Sequence, residues 1–295
     1  MLDNSTQKPS VSITTRDAVI MYVLSLAISF LISFILGAIF ALPILLSYAI
    51  PQVGNLIAVF GYLYSTKRDP VAQFFRNSTT TAKNVGLSVS TSVSLVAQNL
   101  LLVFAFTLLM EKLGKTLTVP MPDLTNFGTF LLALFTVCVL PAIGEELLFR
   151  GVFVTALKEK GEATAILFSA LIFALMHFNL AQLIHQFIVG LVLGYVYVKT
   201  KNLIYCMVIH FVNNAVAIVT ETFFPALNNL ATLSAVSTLI LITLTLAGAT
   251  CLYLSLRTLT KNTPKISPKL TPPDAYAMGL VLVLAVLSTI ISIAS

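Results

Sequence analysis

The sequence predicts an all-α, polytopic integral membrane protein of about eight to nine transmembrane helices with a polar site inside the membrane. Composition is the first reason: 58% of the 295 residues are hydrophobic, 9% are charged and mean hydropathy is +0.97, whereas a soluble domain carries about 25% charged residues. Run length is the second, because the apolar residues recur in stretches of roughly 20, enough for a helix to cross about 30 Å of hydrocarbon. The third is where charge enters those runs. Glu145, Glu146, Arg150, His177, His185 and His210 cluster in one part of the chain and include all three histidines.

Windows of about 19 residues place apolar runs near 18–41, 43–65, 87–110, 126–158, 163–178, 180–198, 202–221, 231–256 and 274–294. The first sixteen residues are polar, and the run after them is too long for a signal-peptide core, so the first span is expected to be retained. Pro43 and Pro51 blur the boundary of the first two runs. The fourth, at about 50 Å if straight, must bend or protrude, and Pro141 and Gly144 mark the expected bend. Segments 65–83 and 261–273 read as connectors, the latter because its four prolines cannot continue a helix. The chain therefore divides into a polar cytoplasmic N-terminus (1–16), N-terminal membrane helices (17–125), a membrane core with the ionisable cluster (126–221), a further span (222–257), a Pro- and Lys-rich cytoplasmic linker (258–273) and a last span (274–295).

Orientation follows from basic residues, which are retained on the cytoplasmic side. With the N-terminus inside, 14 of the 17 Lys and Arg residues fall in cytoplasmic segments, two (Lys112 and Lys115) fall outside, and Arg150 lies within a span. The C-terminus is then outside, in a bacterial-type cell membrane. The net charge of +6 does not indicate nucleic acid, since the basic residues are scattered between apolar runs. Cys138, Cys206 and Cys251 lie inside apolar runs without metal-type spacing and imply neither disulfides nor a zinc site. Asn77-Ser78-Thr79 matches a glycosylation acceptor but sits in a cytoplasmic segment.

Ionisable groups in hydrocarbon are costly and point to function with a named partner. In Glu145-Glu146-Leu147-Leu148-Phe149-Arg150, Glu146 and Arg150 are four apart and share a helix face, where they can pair. Glu145 is rotated about 100° away, free to face a polar cavity as a general base. Alternatively, both glutamates serve only to neutralise Arg150. Phe173 and His177 share one face, as do His210 and Asn214. Taken singly, each pair is as well read as helix–helix hydrogen bonding. At about 1.5 Å per residue, however, Glu145, His177, His210 and Asn214 come out at a similar depth, reached from the cytoplasmic side. His185 has no second polar residue on its face and reads as structural. Gly190 and Gly194 form a small-xxx-small pair whose role is close helix packing.

The ordered set Glu145-Glu146-x-x-x-Arg150, Phe173-x-x-x-His177 and His210-x-x-x-Asn214 resembles the CAAX-protease and bacteriocin-processing family of intramembrane endopeptidases, also called the Abi or type II CAAX prenyl endopeptidase family. The likeness covers roughly residues 140–220 and includes GLVLGYVYVKTKNLIYCMVIHFVNN from Gly190 to Asn214. It implies an α-helical core that cleaves a peptide bond of a membrane-associated protein or peptide. It also implies that Glu145 and His177 activate water, that His210 and Asn214 stabilise the oxyanion, and that Glu146 and Arg150 hold the site together. Whether Asn213 or Asn214 acts stays open.

No cofactor is required on this reading. A zinc-dependent version would use Glu145, His177 and His210 as ligands, although no His-Glu-x-x-His helix is present. A catalytically silent scaffold or immunity protein is the alternative outside catalysis. An ion-coupled transporter would also bury such groups, but the paired broken helices of internal repeats are not found.

Overall fold

The computed structural model describes residues 12–75, 79–114, 121–223 and 235–294. Lys8, Arg76, Lys115 and the Asn77-Ser78 pair of the glycosylation-like tripeptide lie outside them. The described residues form helices only: α1 (Thr15–Ile39), α2 (Ile44–Ser65), short α3 (Pro70–Phe75), α4 (Ala82–Lys112), long α5 (Phe127–Lys160), α6 (Glu162–Leu175), α7 (Leu180–Thr200), α8 (Leu203–Phe223), α9 (Ala235–Leu259) and α10 (Ala275–Ala294).

Seven of these, α1, α2, α4, α5, α7, α8 and α9, are long and apolar enough to cross a membrane. Among the described residues these seven meet the length and composition of a span, so the expected count of eight to nine is not confirmed. α6 accounts for part of the difference: its 14 residues span only about 21 Å, short of the hydrocarbon thickness. α6 instead pairs with α7 as a hairpin. Its tip carries His177, and the chain reverses at Phe178, whose φ of 47° is unusual for a bulky side chain. Asn179 then caps α7 by accepting a hydrogen bond from the Ala181 amide at 2.8 Å.

Terminal signals written in the sequence are used. Thr14 and Asp17 form a reciprocal capping box at the start of α1, with bonds of 3.2 and 2.9 Å. Asp17 also accepts from the Tyr62 hydroxyl at 2.5 Å and Arg68 at 3.1 Å, tying the start of α1 to the end of α2. At this end of the bundle, burial, together with Lys158, holds the Lys201 ammonium below the ordinary lysine range.

The long helix α5 is not interrupted where its proline and glycine suggest. Two π-helical segments, Leu134–Val139 and Leu147–Val154, flank an α-helical segment Leu140–Glu146 that contains both Pro141 and Gly144. Such wide turns are frequent at functional sites. Each presents a carbonyl to a neighbouring helix: Val137 accepts from the Asn214 amide at 2.8 Å, and Phe149 accepts from the Ser169 hydroxyl at 3.0 Å. Gly144 serves close approach, since a Cβ there would lie 3.1 Å from the carbonyl and side-chain oxygens of Gln52.

The core lies where α1, α2 and α5–α8 meet. Tyr22, Phe149, Phe153 and Phe173 are fully buried there, in edge and stacked ring contacts with centroids 5.3–6.3 Å apart. α9 packs against α4, and α10 against α1 and α6. The Pro-rich linker is tied to the helices it passes. The linker crosses the ends of α5–α7, where Thr271 and Thr164 exchange two hydrogen bonds, the Ser267 amide donates to Glu162, and Lys199 donates to the Thr263 and Pro264 carbonyls.

The Gly190 and Gly194 expectation is met: a Cβ on Gly190 would stand 2.9 Å from the Ala170 Cα, and one on Gly194 would stand 3.3 Å from Ile166. Gly190→Val is therefore expected to force α6 and α7 apart and cost about 1–3 kcal/mol, read as a lower melting temperature of the detergent-purified protein.

Candidate active site

Glu145 and Glu146 end the middle α-helical segment of α5, and Arg150 follows one turn later within the second π-helical segment. The expected pair forms: Arg150 donates to Glu146 Oε1 at 2.9 Å, both side chains being wholly buried. Arg150 also donates to the Gly190 carbonyl at 3.3 Å and lies 4.5 Å above the centre of the Phe173 ring. Gly190 therefore does more than permit packing; its backbone helps hold the guanidinium.

Glu146 Oε1 is shared. His210 Nδ1 lies 2.8 Å from it, and an ionised carboxylate only accepts, so Nδ1 carries the proton. His210 Nε2 then points toward Glu145, 3.8 Å from Oε2. Glu145 is not held by a cation. Its Oε1 accepts from the Gln52 amide of α2 at 2.6 Å, and its buried Oε2 has no hydrogen-bond partner among the described residues.

Phe173 gathers the two histidines. Its ring makes edge contacts with His177 and His210, at centroid distances of 5.0 and 5.8 Å. His177 Nδ1 lies 2.8 Å from the Phe173 carbonyl, which can only accept, so His177 Nε2 keeps its lone pair. The half-buried His177 and the carboxylate-anchored His210 thus flank one aromatic ring, and the buried Glu145 Oε2 lies beside His210.

Asn214 is engaged elsewhere than the sequence expectation of a joint His210–Asn214 target. It uses one N–H on the Val137 carbonyl, and its oxygen accepts from Asn213 at 3.3 Å. Asn213 also meets His185 Nε2 at 3.3 Å, and Asn99 of α4 meets His185 Nδ1 at 3.2 Å. His185 is accordingly bonded across three helices, as its structural reading anticipates. The sequence reading missed Gln52 and Asn99. For Gln52 the available signal was the Gln52-x-x-Asn55 pair in an apolar run.

Among the described residues, no group of three or more His, Cys, Asp or Glu side chains is placed to hold a metal ion. The set Glu145, His177 and His210 does not form such a cage.

A bundle of membrane-spanning helices enclosing buried carboxylates and histidines defines the class: a polytopic membrane protein with an intramembrane polar site. Within it, residues 127–216 match the family model described as Type II CAAX prenyl endopeptidase Rce1-like. That stretch runs from the start of α5 to just past Asn214 and contains every candidate catalytic residue. The family likeness carried by the three motifs is thereby borne out, and the match supports a membrane protease. No curated protein and no solved structure matches the chain.

Proposed function

We propose that the protein is an intramembrane endopeptidase that hydrolyses a peptide bond of a membrane-associated protein or peptide, using water activated by Glu145 and His177. The observation that carries this reading is a pair of acceptors: Glu145 Oε2, buried and without a hydrogen-bond partner among the described residues, and Nε2 of the half-buried His177, left free to accept by the bond of Nδ1 to the Phe173 carbonyl. A water between them would give up its proton as its oxygen attacks the scissile carbonyl. That proton then passes to the departing amine.

His210 and Asn214 are proposed as oxyanion donors, a role in which one donor contributes about 3–4 kcal/mol. With Nδ1–H committed to Glu146, His210 must be doubly protonated to offer Nε2–H. Asn214 has a second N–H beyond the one on Val137. Glu146 and Arg150 hold His210 and the Phe173 ring in place. With the N-terminus cytoplasmic, the site is reached from the cytoplasmic side and the C-terminus lies outside.

The test is a mass-spectrometric comparison of peptide termini in cells carrying the native protein or Glu145→Ala at matched membrane abundance. Termini that vanish with the glutamate identify the substrate. An unchanged set with an intact phenotype favours the silent scaffold. Metal dependence is tested separately. The purified native protein is expected to contain far less than one zinc per chain; stoichiometric zinc lost in His177→Ala would overturn the metal-free mechanism.

A further inference from the structure

Glu145 is joined to a line of buried polar side chains that the mechanism above leaves unused. Gln52 Nε2 donates to Glu145 Oε1 at 2.6 Å, Asn55 Nδ2 donates to Gln52 Oε1 at 3.2 Å, and the Ser25 hydroxyl donates to Asn55 Oδ1 at 2.5 Å. All four residues are at least nine-tenths buried. The line crosses three helices, α1, α2 and α5. The helices are brought together by glycines: a Cβ on Gly144 would crowd Gln52, and one on Gly54 would lie 2.9 Å from the Ser25 carbonyl.

The direction of this line is set by chemistry. An ionised carboxylate offers only acceptors, so Gln52 must turn its NH₂ toward Glu145 and its oxygen toward Asn55. Asn55 must then turn its own NH₂ toward Gln52 and its oxygen toward α1, where only a donor suits. Ser25 supplies that donor, so each amide has a single satisfied orientation.

Resting on the proteolytic reading, we propose that Gln52 is a positioning residue. Gln52 clamps one oxygen of Glu145 so that the other, Oε2, stays turned toward His210, and Asn55 and Ser25 fix the clamp. A freely rotating carboxylate would divide its lone pairs between the His210 side and the α2 face, and misplacement by about 1 Å can cost roughly 10²-fold in rate.

The experiment uses the full chain in proteoliposomes, with an internally quenched farnesylated CAAX-type peptide as probe, and measures kcat and KM separately. Gln52→Met keeps the length of the side chain and removes the donor. Its expected effect is a fall in kcat of about 10- to 100-fold with KM and membrane abundance unchanged. Asn55→Leu should lower kcat by a smaller factor, and that loss should disappear when Gln52 is already Met. Gln52→Asn, which withdraws the amide by one methylene, serves if Gln52→Met fails to insert and should lose kcat likewise. Native kcat in Gln52→Met or Gln52→Asn overturns the proposal, as do losses confined to KM or additive losses in the double variant. Glu145→Ala separates the two readings: if it cleaves at the native rate, Glu145 is not the base and the mechanism on which the clamp rests fails, whereas loss of cleavage there with normal Gln52 variants removes only the positioning role. A readout without turnover is the carboxylate stretching band isolated by the infrared difference between native protein and Glu145→Gln. The band is expected to shift in Gln52→Met, and an unmoved band overturns the clamp.

Discussion

Glu145→Gln is expected to lower cleavage by about 10²–10⁴-fold, the usual contribution of a positioned acid–base group, while the protein inserts and survives at native abundance. The substitution is chosen from the geometry. A glutamine at 145 still offers a carbonyl oxygen to the Gln52 amide, so the bond at 2.6 Å has a successor and α2 stays docked on α5. What is lost is the carboxylate character of Oε2, the atom 3.8 Å from His210. Glu145→Ala removes the same chemistry but also orphans Gln52 in a buried place, so its effect mixes catalysis with stability. Initial rates on a quenched peptide, normalised to immunoblotted membrane protein, distinguish the two. A Glu145→Gln protein that cleaves at more than a tenth of the native rate would sink the assignment of Glu145 as base.

Arg150→Ala is expected to act oppositely, on the protein rather than the reaction. The guanidinium is wholly buried and serves Glu146, the Gly190 carbonyl and the Phe173 face together. Removing it leaves Glu146 in the core without its cation, a type of loss that costs about 3–5 kcal/mol. Steady-state abundance should fall several-fold and detergent-purified protein should melt earlier. Arg150→Lys should rescue only partly, because an ammonium lacks the planar fork that reaches two acceptors while stacking. Pairing Arg150→Met with Glu146→Gln should recover abundance relative to Arg150→Met alone, since no uncompensated charge then remains. Equal abundance in native and Arg150→Ala protein would show that the pair does not support the fold.

The membrane class was legible because hydropathy is additive along the chain, and the Glu146–Arg150 pair because i,i+4 neighbours meet on any helix. Co-location of Glu145, His177 and His210 was legible from depth, because rise per residue is nearly constant. Azimuth between helices was not. Nothing in the sequence says that Gln52, 93 positions from Glu145, faces it, since helix rotation is settled by packing. Asn214 shows the same limit: nothing local says that one of its N–H groups goes to the Val137 carbonyl of a wide turn. The two π-helical segments also leave no local signature beyond a run too long for one span. The short α6 was read as a full crossing because hydropathy runs continuously through the hairpin tip.

Those wide turns separate two design problems that an unbroken α-helix would couple. In a continuous 34-residue helix, the angular position of Glu145 and Glu146 would be fixed by whatever the lipid-facing ends require. With a π-helical segment on either side of Leu140–Glu146, the heading of the carboxylates is offset from that which an unbroken α-helix would give them relative to either end. The helix is one continuous rod in which the middle segment carries both carboxylates and the second wide turn carries the arginine that pairs with Glu146.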